Sequence, residues 1–258
     1  PPRSTLFPYK TPSDLDASAT AIYGSMGANG VILITTKSGK KGKPTIDYSF
    51  SYGSQTIRHK LDLMGAADYA RTRNAYKATQ NASGVPVPIF TDAQIQELEK
   101  TGGTDWQDVI YRTAPVTNHQ LTISGGTDNM KYMVSGGYLD QQGILINSAY
   151  KRFTLRANLN ADITKNVSFG LNWAGSKEAG NSPPYGGGTA LSFLGQAVNI
   201  APRWDPTTPP YDENGNYNKH PAGYGAYDTW NPLAAAKEPD IMNNTIRNSI
   251  NTYLEFKI

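Results

Sequence analysis

The segment KRFTLRANLNADI, residues 151–163, alternates without a break. Phe153, Leu155, Ala157, Leu159, Ala161 and Ile163 are apolar, and Arg152, Thr154, Arg156, Asn158, Asn160 and Asp162 between them are polar. A strand sends these two sets to opposite faces, whereas a helix would smear them around its circumference. The same period of two recurs at 45–53, 119–126, 130–140, 166–176 and 245–258. In those stretches Ile46, Tyr48, Phe50 and Tyr52, then Val167, Phe169, Leu171 and Trp173, then Ile246, Ile250, Leu254 and Phe256 mark the apolar side. The chain is therefore read as mainly β, with about six strands, several longer than the usual 5–6 residues.

Lengths of the connections alternate as well. GTDN (126–129) and TKN (164–166) are tight turns, while long connections separate the strands near 53 and 119 and those near 176 and 246. The connection at 141–150 is intermediate. Short turns at one end and long loops at the other suit an outer-membrane barrel. In a soluble sandwich, loops of that length argue against the strand assignment. The first long connection carries two helical patterns, 65–78 and 91–102, with Thr91 as N-cap and Gly102 and Gly103 as the stop. Too rich in Pro for a central strand and too aromatic for a disordered tail, the second reads as an ordered surface loop.

Composition closes off other classes. The 258 residues carry a net charge of +3 and no dense Lys/Arg stripe, so nucleic acid is not an expected partner. The basic run KSGKKGK (37–43) reads as a solvated linker. With no cysteine, disulfides and thiolate metal sites are excluded. No run of 18 apolar residues exists, which excludes a membrane-spanning helix but not membrane strands. The chain does not open on a signal peptide, so an exported parent would have its true start elsewhere.

Motifs with chemical promise read blandly. In YGSMGANG (23–30) the glycines are spaced G-x-x-G-x-x-G, and they follow a helical pattern and precede a strand, the reverse of a dinucleotide loop. DENGN (212–216) lacks the distal Glu of a calcium loop and reads as a turn on Asn214-Gly215. His59, His119 and His220 are scattered. We expect His119, on an apolar side, to be packed or interfacial. No carboxylate pair or G-x-S-x-G elbow supports an enzyme. No catalytic residue, metal or cofactor is expected.

The segment DASATAIYGSMGANGVILITTKSGKKGKP, residues 16–44, resembles the end of the plug domain in SusC/RagA-type TonB-dependent outer-membrane transporters. The matching positions include Asp16, Ala17, Ser18, Tyr23, Gly24, Gly27, Ala28, Asn29 and Gly30. Segments 105–126 and 136–159 resemble the early barrel of the same family. The resemblance runs from 16 to 258; residues 1–15 do not fit it and stay unassigned, with foreign sequence as one reading. It implies that 16–43 ends the plug and that 44–258 forms the first strands and loops of a barrel of about 22 strands. The fold expected of the chain by itself is thus a partial transmembrane antiparallel β-barrel, open at both edges, with a plug remnant and long extracellular loops containing short helices.

The same resemblance implies TonB-dependent import of a large nutrient, an oligosaccharide or a peptide, across the outer membrane of a Gram-negative bacterium. It implies a SusD-like surface lipoprotein and a TonB complex as partners, with lipid around the wall. On that reading the apolar side of 151–163 faces lipid, and Arg152, Arg156, Asn158 and Asn160 face the lumen. Residues 45–57 then run outward, with 58–115 and 178–244 extracellular and 127–129 and 164–166 periplasmic. The rival is a soluble or surface carbohydrate-binding β module. Its ligand contacts would be Trp204, Tyr211, Tyr217, Tyr224, Tyr227 and Trp230, although these aromatics equally suit the packing of a long loop. Against the barrel stands an antiparallel sheet over a soluble core, which alternates in the same way.

Overall fold

The computed structural model describes residues 37–80, 87–181, 197–219, 230–238 and 242–257. Contacts divide the chain into residues 1–38 and 39–258, and the account below concerns the second unit. Its six strands are β1 (Gly42–Gln55), β2 (Ala114–Gly126), β3 (Met130–Gln142), β4 (Ala149–Thr164), β5 (Val167–Asn181) and β6 (Met242–Phe256). They form one antiparallel sheet in the order β1-β2-β3-β4-β5-β6, a meander in which every strand pairs with its sequence neighbour. All six alternating stretches are strands, each longer than its alternation alone indicated. The tight turns are residues 127–129 and 165–166, and the long connections emerge at the opposite end of the sheet.

The register turns the alternation into rows. Because directly paired residues share a face, Ile46, Ile123, Val134, Ala157, Trp173 and Ile250 form one apolar row across the whole sheet. Toward the loop end, Phe50, His119, Tyr138 and Phe153 line up on the same face. His119 lies among aromatic rings, with the Phe50 centroid 4.8 Å away, and shares a 2.8 Å hydrogen bond between its Nδ1 and the Tyr48 hydroxyl. One row further out the face turns polar, with Asp140 and Lys151 in a 3.4 Å ion pair. The apolar face is uncovered: Ile46 is 70% exposed, Ile250 68% and Phe153 53%.

The strands bury almost nothing large, and the core lies in the connections. Three of these meet: β1–β2, β3–β4 and β5–β6. Helices α1 (Ala66–Gln80), α2 (Asp92–Thr101) and α3 (Trp106–Ile110) belong to the first. Helix α4 (Ala197–Ile200), a 3-10 turn (Ala201–Arg203) and α5 (Pro232–Lys237) belong to the last. Trp106 and Ile110 of α3, Leu145 from the β3–β4 connection, Ile200, Trp204, and Leu233, Ala235 and Ala236 of α5 form one hydrophobic cluster. The Trp106 indole donates to the Asp205 carbonyl at 2.9 Å, and its ring meets Trp204 edge-on at 5.7 Å. Arg112 donates to the Gly143 and Ser148 carbonyls at 3.1 Å each, tying the first connection to the second. Asn147 donates to the Lys237 carbonyl at 3.0 Å, which ties the second to the third. The described parts of these connections form one packed cap.

Helix α2 starts and stops where its sequence says. Thr91 and Gln94 complete a reciprocal capping box, and Gly102, at φ 76°, donates its N–H to the Leu98 carbonyl. Gly103 follows at φ 68°; a side chain there would strike Ala66 and the Pro206 carbonyl, so the stop also lets the two long connections touch. The DENGN segment is a turn: Gly215 lies at φ 78° and donates its N–H to the Asp212 carbonyl at 3.0 Å.

Two outcomes follow from the cap. Trp106→Ala removes its central side chain and should cost about 3–5 kcal/mol of local stability. Native-state hydrogen exchange should show this at Ile110 and Ala235 with β3 and β4 still protected; equal loss in the strands would mean that cap and sheet unfold together. The Asp212 carboxyl is held below its usual pKa, chiefly by the Asn216 N–H and then by the Asn216 side chain and the Asn214 N–H. A depressed pKa contributes stability that is complete above the ordinary carboxylate value of about 3.9 and is lost as pH falls through the folded value. Amide protection at 214–216, corrected for intrinsic exchange, should therefore drop only in acid, and Asp212→Ala should abolish that dependence.

Candidate functional site

The other face of the sheet is polar and concave. A hollow of about 340 Å³ lies against it, lined by side chains that include Asn118, Gln120, Ser135, Arg152, Thr154, Arg156, Ser176 and Glu178. The register again gives rows. One runs Ser49, Gln120, Gly137, Thr154, Ser176, Arg247. The next toward the loops runs Ser51, Asn118, Leu139, Arg152, Glu178, Thr245, and the next toward the turns Asp47, Thr122, Ser135, Arg156, Ala174, Ser249. Below these lies an amide layer. Asn160 donates to Asn158 at 3.2 Å, Asn158 donates to Asn172, and the Tyr253 hydroxyl donates to Asn160 at 3.1 Å. Tyr253 leans over Gly170, where any side chain would collide with its ring.

The four polar candidates from the sequence, Arg152, Arg156, Asn158 and Asn160, thus share one face of β4. They do different things there. Asn158 and Asn160 are bonded into the amide layer, whereas Arg152 and Arg156 are exposed and make no hydrogen bond or ion pair among the described residues. Glu178 is paired with Arg247 at 3.0 Å. Sequence reasoning passed over Gln120, Gly137, Ser176, Glu178 and Arg247. The signal that finds them is the pairing register, which no single strand's alternation contains.

The loop aromatics do not gather at this face. Trp204 is 3% exposed and is a core residue of the cap, so its ring is committed to packing. Tyr211 and Tyr217 stack on each other at 5.2 Å, with the Lys237 ammonium 5.9 Å from the Tyr211 ring. Burial comes first in raising the Tyr217 pKa. Trp230 is exposed at 52%. Tyr224 and Tyr227 lie outside the described residues, as do the plug-signature positions 16–30. Among the described residues, no group of three or more His, Asp or Glu stands where it would hold a metal ion.

No family model matches the chain. Curated relatives do. TonB-dependent receptor P3 of Formosa agariphila is 39% identical over 223 residues, which cover 86% of this chain and 20% of that protein. TonB-dependent receptor SusC of Bacteroides thetaiotaomicron is 35% identical over 204 residues, covering 78% of this chain and 18% of that protein. The RagAB peptide importer in its open-open state superposes with a TM-score of 0.70 at 24% identity, covering 94% of this chain and 29% of the importer chain. That likeness shows the fold, a stretch of barrel wall. The chain spans about a fifth of the length of the curated relatives it matches, and by its sequence it belongs to the SusC/RagA-type TonB-dependent receptors.

Proposed function

We propose that this chain forms part of the wall of an outer-membrane importer that takes up a large nutrient with energy from a TonB complex. Residues 16–43 end the plug and 44–258 begin the barrel. The long connections face outward, under a SusD-like lipoprotein, and the cargo is an oligosaccharide or a peptide. One observation carries this reading. The sheet has an uncovered apolar face and a polar concave one, and its large side chains are buried in the loop cap rather than beneath the strands.

Hydrocarbon offers backbone groups no partner, so only paired strands or helices cross it. The aromatic row Phe50, His119, Tyr138, Phe153 and the row of Ala161, Phe169 and Leu254 stand eight residues apart on β4. That is about 27 Å along the strand. A tilt of about 40° shortens it to about 21 Å, close to the apolar band of about 25 Å between aromatic girdles in such barrels. A soluble carbohydrate-binding module would have to cover this face, and the buried position of Trp204 removes one of its ligand contacts.

Leu155→Arg or Leu171→Arg in the full-length receptor should cost about 2–4 kcal/mol near the bilayer midplane, with a visible loss of the heat-modifiable folded band. Asn158→Arg, on the polar face, should assemble far better. Equal yields for the three variants would defeat the facing assignment. Orientation is checked by a cysteine placed at 215 or at 128: on intact cells a membrane-impermeant maleimide should label the first only. Import itself is tested by uptake of a labelled oligosaccharide or peptide pool, which should cease when the proton gradient is collapsed.

A further inference from the structure

We infer that the hollow on the concave face is a subsite for a carboxylate carried by the imported solute. The inference rests on the importer reading and narrows its cargo to acidic molecules. The row Gln120, Gly137, Thr154, Ser176 crosses the centre of the hollow. Gly137 leaves a dent in that row: a Cβ there would lie 2.6 Å from the Gln120 Oε1 and 2.7 Å from the Thr154 Oγ1. Gln120 and Thr154 therefore close over bare backbone, with the Gln120 carbonyl oxygen and the Thr154 hydroxyl nearest to it, and the hydroxyl is a donor at its rim.

Arg152 and Arg156 flank Thr154, one on each side along β4. Each Cα is about 7 Å from that of Thr154, within the reach of an extended arginine. Both guanidinium groups are exposed and unpaired among the described residues. Of the carboxylates on the adjoining rows, Glu178 is held by Arg247, and Asp47 stands three strand spacings from Arg156, about 14 Å. The site thus offers planar cationic forks and neutral donors around a recess whose lining carboxylate, Glu178, is already paired with Arg247. That is the chemistry of carboxylate recognition, which arginine performs with two parallel N–H bonds. The amide layer below carries no charge at Asn158, Asn160, Asn172 and Asn251.

The test uses the full-length receptor in detergent and two matched probe pairs: a short oligogalacturonate with its methyl-ester twin, and a glutamate-rich peptide with its glutamine twin. Calorimetry should show the acidic member of at least one pair binding about tenfold or more tightly than its twin, a preference that fades with salt. R152Q/R156Q should reduce the acidic probe to the affinity of its twin and leave that twin unchanged, while K131Q, near the tight turn, should leave the preference intact. No acid preference in either pair, including no binding by any probe, overturns the inference, as does a preference that survives R152Q/R156Q. A fall in melting temperature for R152Q/R156Q without any solute preference assigns the arginines to a carboxylate of the plug and also overturns it. Gradient-dependent uptake of neutral solutes alone would leave the importer reading standing and this inference fallen.

Discussion

A strand has two faces, and every other property of this sheet depends on keeping those faces in step across the antiparallel ladder. A slip of one residue at any pairing would move a whole strand's apolar set to the polar side. No such slip occurs: Ile46 connects through Ile123, Val134, Ala157 and Trp173 to Ile250 without leaving one face. The irregularities in register fall at the turn ends, between Gly42 and Thr45 and between Asp162 and Thr164, outside that span. Hydrogen bonds of the ladder satisfy the backbone between paired strands, and in the wall proposed above an uncovered row of Ile, Val and Trp is tolerable because lipid rather than water would be its partner.

The cap is the ordinary globular part of the molecule. It buries tryptophan, isoleucine and leucine, satisfies the Trp106 indole on a backbone carbonyl, and fastens three connections to one another through Arg112 and Asn147. Long loops that pack on themselves present a fixed outline to whatever docks on them and avoid the entropy of an open tether. In the importer proposed above, sheet and cap would divide the work, one meeting lipid and lumen and the other shaping the entrance.

Much of the fold was legible in the sequence because a period of two is a strong signal over ten residues. The strand ends were less so: Glu178–Asn181 and Met242–Thr245 do not alternate, and they pair because their neighbours hold them in register. Helix α2 declared itself by Thr91, Gly102 and Gly103. Helix α5 has a cue too, since Asn231 caps it and Pro232 opens it, but six residues within a Pro-rich loop carry too little periodicity to stand out. Trp204 suits a ligand contact and loop packing equally in the sequence, because composition cannot tell a stacking platform from a core ring; its contact with Trp106, far away in sequence, decides. For the same reason the hollow was only half visible. Arg152 and Arg156 sit on one strand, but Gln120, Gly137 and Glu178 join them only through pairing.

The most direct test of the two-faced wall is nitroxide scanning of residues 152–162 in the full-length receptor reconstituted into lipid. Collision rates with oxygen, which partitions into hydrocarbon, and with a water-soluble nickel chelate should alternate with period two and in opposite phase. Oxygen access should peak at 153, 155, 157, 159 and 161, and nickel access at the even positions between. In-phase alternation, or uniform access by the nickel chelate along the strand, would show that the apolar face meets water or protein, and the account of this chain as barrel wall would fail.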